Sequence, residues 1–228
     1  MLSVVYVDDI AVSVSILSQF CHKPSICDWS AVKRILRYLQ GTKSLKLVIG
    51  GKDPSLKAYS DADWAGDRVD RKSRSGSAVF YGTGLIVWNC GKQECVATST
   101  VEAEYIALAN TAKDVLWSQQ LLGELGRGRN EPTTILEDNN GCKQLAVHPT
   151  TTSRTKHIDI KYHFIRDLVV KKMVSVERCP TTEMIADILT KPLSPQKFEQ
   201  CRKKLGLVGV IASKGSVKHW RRSCSHTR

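Results

Sequence analysis

The amino-acid sequence predicts an α/β protein in which helices flank a mixed β-sheet, in the range between α/β and α+β folds. Between residues 56 and 205, three or four strand-like segments are followed by a long helical pattern, and strands and helices then alternate. A chain of 228 residues can also bury one substantial hydrophobic core, so these segments are expected to share one domain.

Residues 1–52 are predicted to form a separate segment ahead of that domain. Ile10 to Phe20 is apolar enough for a helix or a buried strand. A second helix is predicted to start at Asp28, which can cap it, and to stop at Gly41. A turn-rich stretch then marks a boundary, which assigns residues 53–207 to the main domain.

The strands of the main domain are predicted where apolar and polar residues alternate between turn residues. They cover Leu56 to Asp63, Ser77 to Tyr81, Leu85 to Trp88, Val96 to Ala97, Thr133 to Asp138 and Val174 to Arg178. Helices are predicted where apolar residues recur every three to four positions. They cover Val101 to Gly123 or Gly126, a short segment through Leu145, Ile158 to Val170, Thr182 to Leu189 and Pro195 to Leu205.

The net charge of +12 suggests a polyanionic partner, but much of this charge lies at the carboxyl end. No acid follows Glu199, whereas eight lysines and arginines do. The rest of the chain therefore carries only about +4, which is compatible with nucleic-acid binding without requiring it. We expect residues 208–228 to form a disordered basic tail, because no apolar periodicity continues there.

The composition argues against several other classes of protein. With 42% hydrophobic and 25% charged residues, the chain is neither membrane-like nor disordered. Its eight cysteines form no C-x-x-C pair, so neither a zinc site nor a disulfide framework is predicted. Met1 to Val7 lacks a basic start and is followed by two aspartates, which argues against a signal peptide or a membrane span. We therefore expect an intracellular protein, cytoplasmic or nuclear and not secreted, with no membrane partner.

Four acidic residues lie far apart in the sequence, each within its own motif: Asp61, Glu104, Asp138 and Asp187. The predicted elements place them on two strands and two helices. If their side chains meet, the repulsion between like charges requires a compensating cation. Magnesium is the natural candidate because it prefers oxygen ligands, and such a site points to two-metal hydrolysis of a phosphodiester.

Local sequence leaves alternatives open at two of these positions. Asp63 lies on the same face of its strand as Asp61, so the spacing does not choose between them. Glu102 and Glu104 flank the apolar stripe of the long helix on opposite sides, and either can be a solvated edge residue.

The other two acids also have simpler explanations. Asp138 follows a strand directly before a helix, where it can be an ordinary N-cap. Asp187 lies off the apolar stripe of its predicted helix, so the pattern alone favours a solvated residue.

The motifs around these acids together resemble a known family. From about Leu56 to Leu205 the chain resembles the ribonuclease H domain at the end of copia-type retrotransposon polyproteins. The matching stretches are residues 60–66 (SDADWAG), 71–76 (RKSRSG), 102–108 (EAEYIAL), 153–164 (SRTKHIDIKYHF) and 186–192 (ADILTKP). Residues 29–42 also resemble the connection that joins reverse transcriptase to this domain, so residues 1–52 are expected to be a truncated reverse transcriptase connection segment.

This resemblance implies a ribonuclease H fold, with a five-stranded mixed sheet and a site on its central strands. It implies hydrolysis of the RNA strand of RNA–DNA hybrids with two Mg²⁺ ions, for which Mn²⁺ can substitute. By motif, Asp61, Glu104, Asp138 and Asp187 occupy the family's metal-ligand positions and are the expected catalytic residues.

Further residues are expected to contact the RNA–DNA hybrid. Discrimination for RNA needs contacts to 2′-hydroxyls from short polar groups. The candidates for these contacts are Ser99, Thr100, Asn139 and Asn140. The candidates for holding DNA-strand phosphates are Arg68, Arg71, Lys72 and Arg74. An ordinary solvated turn is the alternative for that basic loop, and we expect the isolated chain to be a monomer.

Two other functions compete with the nuclease. The chain can be a catalytically inactive, nucleic-acid-binding remnant of a retroelement polyprotein, or a protein-interaction module that reuses the scaffold. The turn Tyr6-Val7-Asp8-Asp9 copies the metal-binding turn of reverse transcriptases, yet we expect no polymerase activity, because a third aspartate on an earlier strand is needed. Against decay, all four acids are retained, whereas random decay readily loses one.

Overall fold

A computed structural model of the chain describes residues 7–50, 54–148 and 159–209. Predictions that concern Tyr6, residues 149–158 or the tail from residue 210 lie outside these described residues. In chain order the elements are α1 (Val7–Ser18), α2 (Ile26–Thr42), β1 (Leu45–Leu47), β2 (Leu56–Asp63), β3 (Arg74–Tyr81), β4 (Gly84–Lys92), α3 (Thr100–Glu124), β5 (Thr133–Glu137), α4 (Asn140–Val147), α5 (Asp159–Val170), β6 (Val174–Arg178), α6 (Pro195–Lys204) and β7 (Leu207–Gly209). Two 3₁₀ turns, Thr181–Glu183 and Ala186–Leu189, precede α6.

The central sheet has five strands in the order β4-β3-β2-β5-β6. β3 pairs antiparallel with both β2 and β4, whereas β5 pairs parallel with both β2 and β6. Helices connect the parallel strands, as parallel pairing requires a crossover connection. This mixed sheet with flanking helices confirms the ribonuclease H-like fold that the resemblance implies.

The strand predictions agree with the structure in part. β2 and β6 have the predicted bounds. β3 starts at Arg74 rather than Ser77, and β4 continues to Lys92, because the antiparallel pairing runs on until Arg74 lies opposite Lys92. The predicted strand at Val96 and Ala97 is wrong. This segment is irregular, and Ala97 is buried against alanines of β2 and α3 instead.

The helix predictions need a correction at the start of α2. Its N-cap is Ser25 rather than Asp28, since the Ser25 hydroxyl accepts a hydrogen bond from the Asp28 N–H at 3.2 Å. The Asp28 carboxylate in turn accepts from the Ser25 N–H at 2.8 Å, which completes a capping box. Of the two alternatives left open for residues 10–20, the structure has the helix, α1. Among the described helices, none combines the length and apolarity needed to span a bilayer.

Apolar side chains pack on both faces of the central sheet. On β3, Val79 belongs to the cluster beneath α3 and α5, whereas Ala78 and Phe80 belong to the cluster on the other face. The second cluster includes residues of the turn Ala186–Leu189 and of α6. The sheet therefore has α3 on one side and this turn on the other.

The predicted helix over Thr182 to Leu189 is wrong, because the segment forms two 3₁₀ turns. Residues 184–190 are all buried, so the segment has no solvated face of the kind that a surface helix shows. The second turn lies against Gly76 of β3, where an added Cβ would be 2.9 Å from the Leu189 Cβ. Close packing on the sheet thus replaces the regular helix.

The amino-terminal segment packs against the main domain. Tyr38 of α2 lies edge-on to Phe198 of α6, with ring centroids 5.9 Å apart. The Tyr38 hydroxyl donates to the buried carboxylate of Asp9 and accepts from Arg202 at 3.2 Å. Asp9, from the motif that copies a polymerase turn, therefore has a structural contact here.

The carboxyl end of the described chain also joins this segment. β7 pairs antiparallel with β1, with Lys46 opposite Val208 and Leu45 opposite Gly209. Val208 and Gly209, the first two residues of the predicted tail, therefore lie in a strand, and the rest of that segment lies outside the described residues.

Candidate metal centre

Three of the four predicted acids meet at one point of the structure. Asp61 lies on β2, Glu104 on α3, and Asp138 directly after β5, and each offers a carboxylate oxygen within 4.8 Å of the other two. β2 and β5 are parallel neighbours, so their carboxyl ends reach the same edge of the sheet. The first turns of α3 bring Glu104 over that edge. We call this group the three-acid cluster.

The structure chooses Asp61 over its neighbour Asp63. Asp61 is 1% exposed and lies opposite Gly76 of β3, whereas Asp63 is half-buried and lies opposite Arg74. Among the described residues, Asp63 is not part of the three-acid cluster. The period-two rule could not separate the two, because the difference arises from what packs on the neighbouring strand.

The structure also separates Glu104 from Glu102. The Glu102 carboxylate accepts hydrogen bonds from the N–H and the hydroxyl of Thr98, both at 2.7 Å. The Glu102 N–H donates to the hydroxyl of Ser99, which is the N-cap of α3. Glu102 therefore stabilises the start of the helix. A serine followed three residues later by a glutamate is the usual signal of such a cap, and it was present in the sequence.

Asp138 does not cap the helix that follows it. The cap of α4 is Asn139, whose side-chain oxygen accepts from the Cys142 N–H at 3.0 Å. The simpler explanation for Asp138 thus applies to its neighbour. Asp138 itself remains half-buried in the three-acid cluster.

Asp187 lies beside the cluster and is held by two lysines. Its Oδ1 is 2.8 Å from the Lys191 Nζ, and its Oδ2 is 3.5 Å from the Lys197 Nζ. Lys191 also lies 3.5 Å from Asp61 Oδ2, which joins the fourth acid to the other three. The pattern-based interpretation of Asp187 as a solvated residue is wrong, since it is 3% exposed.

The turn Ala186–Leu189 approaches β3 closely, and this approach positions Thr190 next to Asp61. The Thr190 hydroxyl donates to Asp61 Oδ2, directly after the turn Ala186–Leu189. An added Cβ at Gly76 would be 2.7 Å from the Thr190 Cγ2, closer than real Cβ atoms come. Glycine at position 76 thus allows the turn to reach the end of β2.

Burial without full compensation of the negative charge raises the pKa values of Asp61 and Glu104. Burial raises the pKa of Asp61 to about 6, with Lys191 opposing the rise and Asp187 adding to it. Burial and the neighbouring Glu137 raise the pKa of Glu104 to about 11. Glu104 Oε2 has no hydrogen-bond partner among the residues that the structure describes. A cation at this point would relieve both effects.

Glu137 is a buried acid that the sequence analysis did not assign to the site. It ends β5 fully buried, and its Oε1 accepts from the Asn139 N–H at 3.1 Å. Its Oε2 has no hydrogen-bond partner within the described ranges, and burial raises its pKa well above the usual value. The alternation along β5 could have found it, since Thr133, Ile135 and Glu137 share the buried face.

Lys191 is a second residue that the sequence analysis missed. Its side chain is one-third exposed and its ammonium faces both Asp61 and Asp187. Burial lowers the pKa of Lys191, but the two carboxylates outweigh this effect and the pKa rises. The residue stands in the 186–192 stretch, yet spacing alone gives no sign that it reaches Asp61.

Known proteins resemble the chain over most of its length. It is 43% identical over 199 residues to the retrovirus-related Pol polyprotein from transposon TNT 1-94 of Nicotiana tabacum, which covers 87% of this chain and 15% of that protein. It is 44% identical over 206 residues to the polyprotein from transposon RE1 of Arabidopsis thaliana, covering 90% and 14%. Over about 90% of its length the chain is thus similar to a segment of the Pol polyproteins of copia-type retrotransposons. It spans about 15% of the length of these relatives.

The chain is also similar to solved structures at low sequence identity. The structure of LC11-RNase H1 in complex with an RNA/DNA hybrid shares 15% sequence identity, with a TM-score of 0.44 and coverage of 60% of this chain and 94% of that one. RNase H1 from Halobacterium salinarum shares 17% identity with a TM-score of 0.43 and the same coverage. No family model matches the chain.

The basic loop after β2 contains three of the four predicted phosphate contacts. Arg68 and Arg71 are exposed, and Lys72 is half-buried. Arg74 differs, because it is 6% exposed and its guanidinium donates to the Ser15 hydroxyl of α1 at 2.5 Å. In this structure Arg74 therefore faces α1 rather than the open surface of the loop, and its contact to phosphate stays a prediction. Its position on β3 turns the side chain onto the amino-terminal helix.

The predicted 2′-hydroxyl contacts lie at the two helix starts that flank the cluster. Ser99 and Thr100 are exposed at the start of α3, and Asn140 is exposed at the start of α4. Ser99 and Asn139 both have cap hydrogen bonds, so part of their hydrogen-bonding capacity is already used. These residues stay predicted contacts.

Proposed function

We propose that this chain hydrolyses the RNA strand of RNA–DNA hybrids and depends on Mg²⁺, with Mn²⁺ as a substitute. The observation that supports this proposal is the three-acid cluster. Asp61, Glu104 and Asp138 come from separate elements, yet their oxygens lie within 4.8 Å of one another. The similarity to Pol polyproteins makes an RNA–DNA hybrid a natural substrate class, as the resemblance implies.

The donor set suits a hard divalent cation. Carboxylate oxygens are the ligands that Mg²⁺ takes from proteins, and no cysteine or histidine joins the group among the described residues. The Glu104 Oε2 atom, buried and without a hydrogen-bond partner in that part of the chain, is available as a ligand. We therefore assign Asp61, Glu104 and Asp138 as metal ligands and Asp187 as the fourth.

The chemistry follows from this assignment. When bound, a pair of divalent ions supplies an activated attacking water and charge stabilisation at the leaving 3′ oxygen. The chain's own part is to position the acids: Thr190 orients Asp61 by a hydrogen bond, and the capped start of α3 fixes the direction of Glu104.

Substrate contacts are assigned to the surface next to the cluster. Arg68, Arg71 and Lys72 are the proposed contacts to DNA-strand phosphates, which fix register without reading sequence. The proposed contacts to 2′-hydroxyls are Ser99, Thr100, Asn139 and Asn140.

The test is cleavage of a hybrid with labelled RNA, in Mg²⁺ and in EDTA, with RNA–RNA and DNA–DNA duplexes as controls. The variant Asp138→Asn removes one ligand charge and should lower the rate by about 1,000-fold, equivalent to the several kcal/mol that metal stabilisation supplies. Asp167→Asn is the matched control, because Asp167 is exposed and pairs with Lys171 on the surface of α5. This control should cut as fast as the parent.

Two results would reject parts of this proposal. If Asp138→Asn cuts as fast as the parent in Mg²⁺, the metal-site assignment is wrong. If the parent binds the hybrid but cuts nothing in Mg²⁺ or Mn²⁺, the chain is the inactive, nucleic-acid-binding remnant.

A further inference from the structure

The Lys191 ammonium lies inside the group of four acids. Its Nζ is 2.8 Å from Asp187 Oδ1 and 3.5 Å from Asp61 Oδ2. Both carboxylates are nearly fully buried, with exposures of 3% and 1%. A positive charge of the chain itself therefore lies between two of the acids assigned above as metal ligands.

The other two acids of the set differ from this pair. Neither Glu104 nor Asp138 makes an ion pair with a lysine or arginine within the described part of the chain. Lysine ammonium groups thus compensate the negative charge of Asp61 and Asp187, whereas no lysine or arginine of the described residues compensates that of Glu104 or Asp138. Asp61 links the two pairs, because it contacts Lys191 and also takes part in the three-acid cluster.

Lys197, the second lysine on Asp187, is held in a different way. Its Nζ donates to the carbonyl oxygens of Thr181 and Thr182, at 2.9 and 2.8 Å, and lies 3.5 Å from Asp187 Oδ2. These backbone contacts anchor it to the first 3₁₀ turn. Lys197 therefore fixes the position of Asp187 rather than sitting between two acids.

We propose that Lys191 is a resident cation of the site, which takes the place of one of the two divalent ions. Without nucleic acid, the chain then binds one divalent ion on the three-acid cluster, and a second ion binds only when the Lys191 ammonium leaves Asp187. This inference rests on the metal dependence proposed above. It makes Lys191 a positioning residue that controls metal occupancy.

Lys191 is suited to this role because it can leave without unfolding the site. Its side chain is one-third exposed, and a lysine is a point charge on a flexible four-carbon stem. Within the described part of the chain, its ammonium contacts the two carboxylates and is not anchored to the backbone as Lys197 is. A substrate phosphate offers the ammonium another anion close by, so nucleic-acid binding would favour uptake of the second ion.

The experiment is a Mn²⁺ titration of the full chain without nucleic acid, with free Mn²⁺ measured by electron paramagnetic resonance. The parent should bind one ion. Lys191→Met should bind two, with the second at least about tenfold tighter than in the parent, because a like charge a few ångströms away has been removed. Lys191→Arg keeps the charge and should behave like the parent.

Lys197→Met is the matched control, because it removes the other ammonium from Asp187. It should still bind one ion, since Lys191 remains between the two acids. Thermal unfolding provides a second readout: Mn²⁺ should raise the Tm of Lys191→Met by more than it raises that of the parent. If the Met variant does not fold, Lys191→Gln replaces it in both measurements.

The outcomes separate this inference from the proposed function. If the parent and Lys191→Met both bind one ion with equal affinity, or if the parent binds two, the role of Lys191 is wrong while the metal site stands. If the parent binds no ion at millimolar Mn²⁺, the proposed metal dependence falls, and the inference falls with it.

Discussion

Two groups of acids in this chain differ in how their negative charge is compensated. In the loop after β2, Asp67 and Asp70 share the ammonium of Lys92, whose Nζ lies 2.7 and 2.8 Å from their oxygens. The hydrogen bond from Lys92 holds the pKa of Asp67 well below its usual range. In the three-acid cluster burial dominates instead, and it raises the pKa of Asp61 to about 6.

This difference indicates which of the two groups of acids needs a bound cation. The loop acids already have a protein cation, so their charge is compensated without any bound ion. Glu104 is buried and has no such partner in the described chain, which costs folding free energy. A fold keeps such a group where a function needs it, and that is why we assign the metal to the cluster and not to the loop.

The largest expected effect comes from filling the space that brings the turn to the cluster. Gly76→Ala would place a Cβ 2.7 Å from Thr190 Cγ2 and 2.9 Å from Leu189 Cβ, so the turn must shift. We expect a loss of about 2 kcal/mol in the free energy of unfolding, measured by urea denaturation, together with a loss of cleavage.

Gly91→Ala is the control for this substitution. Gly91 lies on the neighbouring strand β4, and its added Cβ would have nothing closer than 3.7 Å, so little change is expected. Equal stability of the two variants would show that the turn does not depend on the close approach at Gly76.

The next largest effect is expected from Glu104, whose buried carboxylate has no cationic partner among the described residues. Glu104→Gln keeps the shape of the side chain and removes its charge, so it should raise the free energy of unfolding of the metal-free chain by about 1–2 kcal/mol. It should also abolish the rise in Tm that Mg²⁺ gives the parent. The measurement is thermal unfolding in EDTA and in Mg²⁺.

The pH dependence of the same variant has a defined sign. Burial raises the pKa of Glu104 from 4.5 to about 11, so its protonated form stabilises the metal-free fold most fully below about pH 4.5. That stability is lost as the pH rises toward 11. Glu104→Gln should therefore show a flatter fall of stability over this window. A parallel pH profile in the two proteins would contradict the assignment of an uncompensated charge.

A smaller effect is expected from the basic residues beyond the described chain. A chain that ends at Gly209 keeps the β1–β7 pairing but loses the five lysines and arginines of residues 210–228. It should bind the hybrid more weakly, and the slope of log affinity against log salt should fall by as much as about 4. The cleavage positions should not change. An unaltered salt slope would reject a binding role for the tail.

The smallest effect is expected in the loop. Lys92→Ala removes the cation shared by Asp67 and Asp70. The Lys92 and Asp70 side chains are partly exposed, where ion pairs contribute little, and the Asp67 carboxylate keeps its hydrogen bond from the Val69 N–H. We expect the Tm to change by less than about 3 °C. A large fall in Tm would show that the loop depends on its cation as strongly as the cluster does.

The sequence predicted the sheet and its acids better than it predicted their surroundings. β2 and β6 were correct to the residue, because alternating apolar positions are a local signal. The motifs likewise identified Asp61, Glu104 and Asp138, which meet in the structure.

The missed features depend on contacts that no local pattern reports. The Arg74 side chain is buried because it donates a hydrogen bond to Ser15, which lies 59 residues earlier in the sequence. Lys191 contacts Asp61 although the two residues are far apart in the sequence. The turn Ala186–Leu189 was predicted as a helix because its apolar residues have helical spacing, but Gly76 lets it pack flat on the sheet. Such errors arise where tertiary packing overrides local preference.

The most direct test of the cluster is a crystal structure of the chain grown with Mn²⁺, whose anomalous scattering locates the ion. We predict the strongest anomalous peak at the three-acid cluster, in contact with Asp61, Glu104 and Asp138. A chain with ordered Mn²⁺ at Asp67 and Asp70 and none at the cluster would contradict the account.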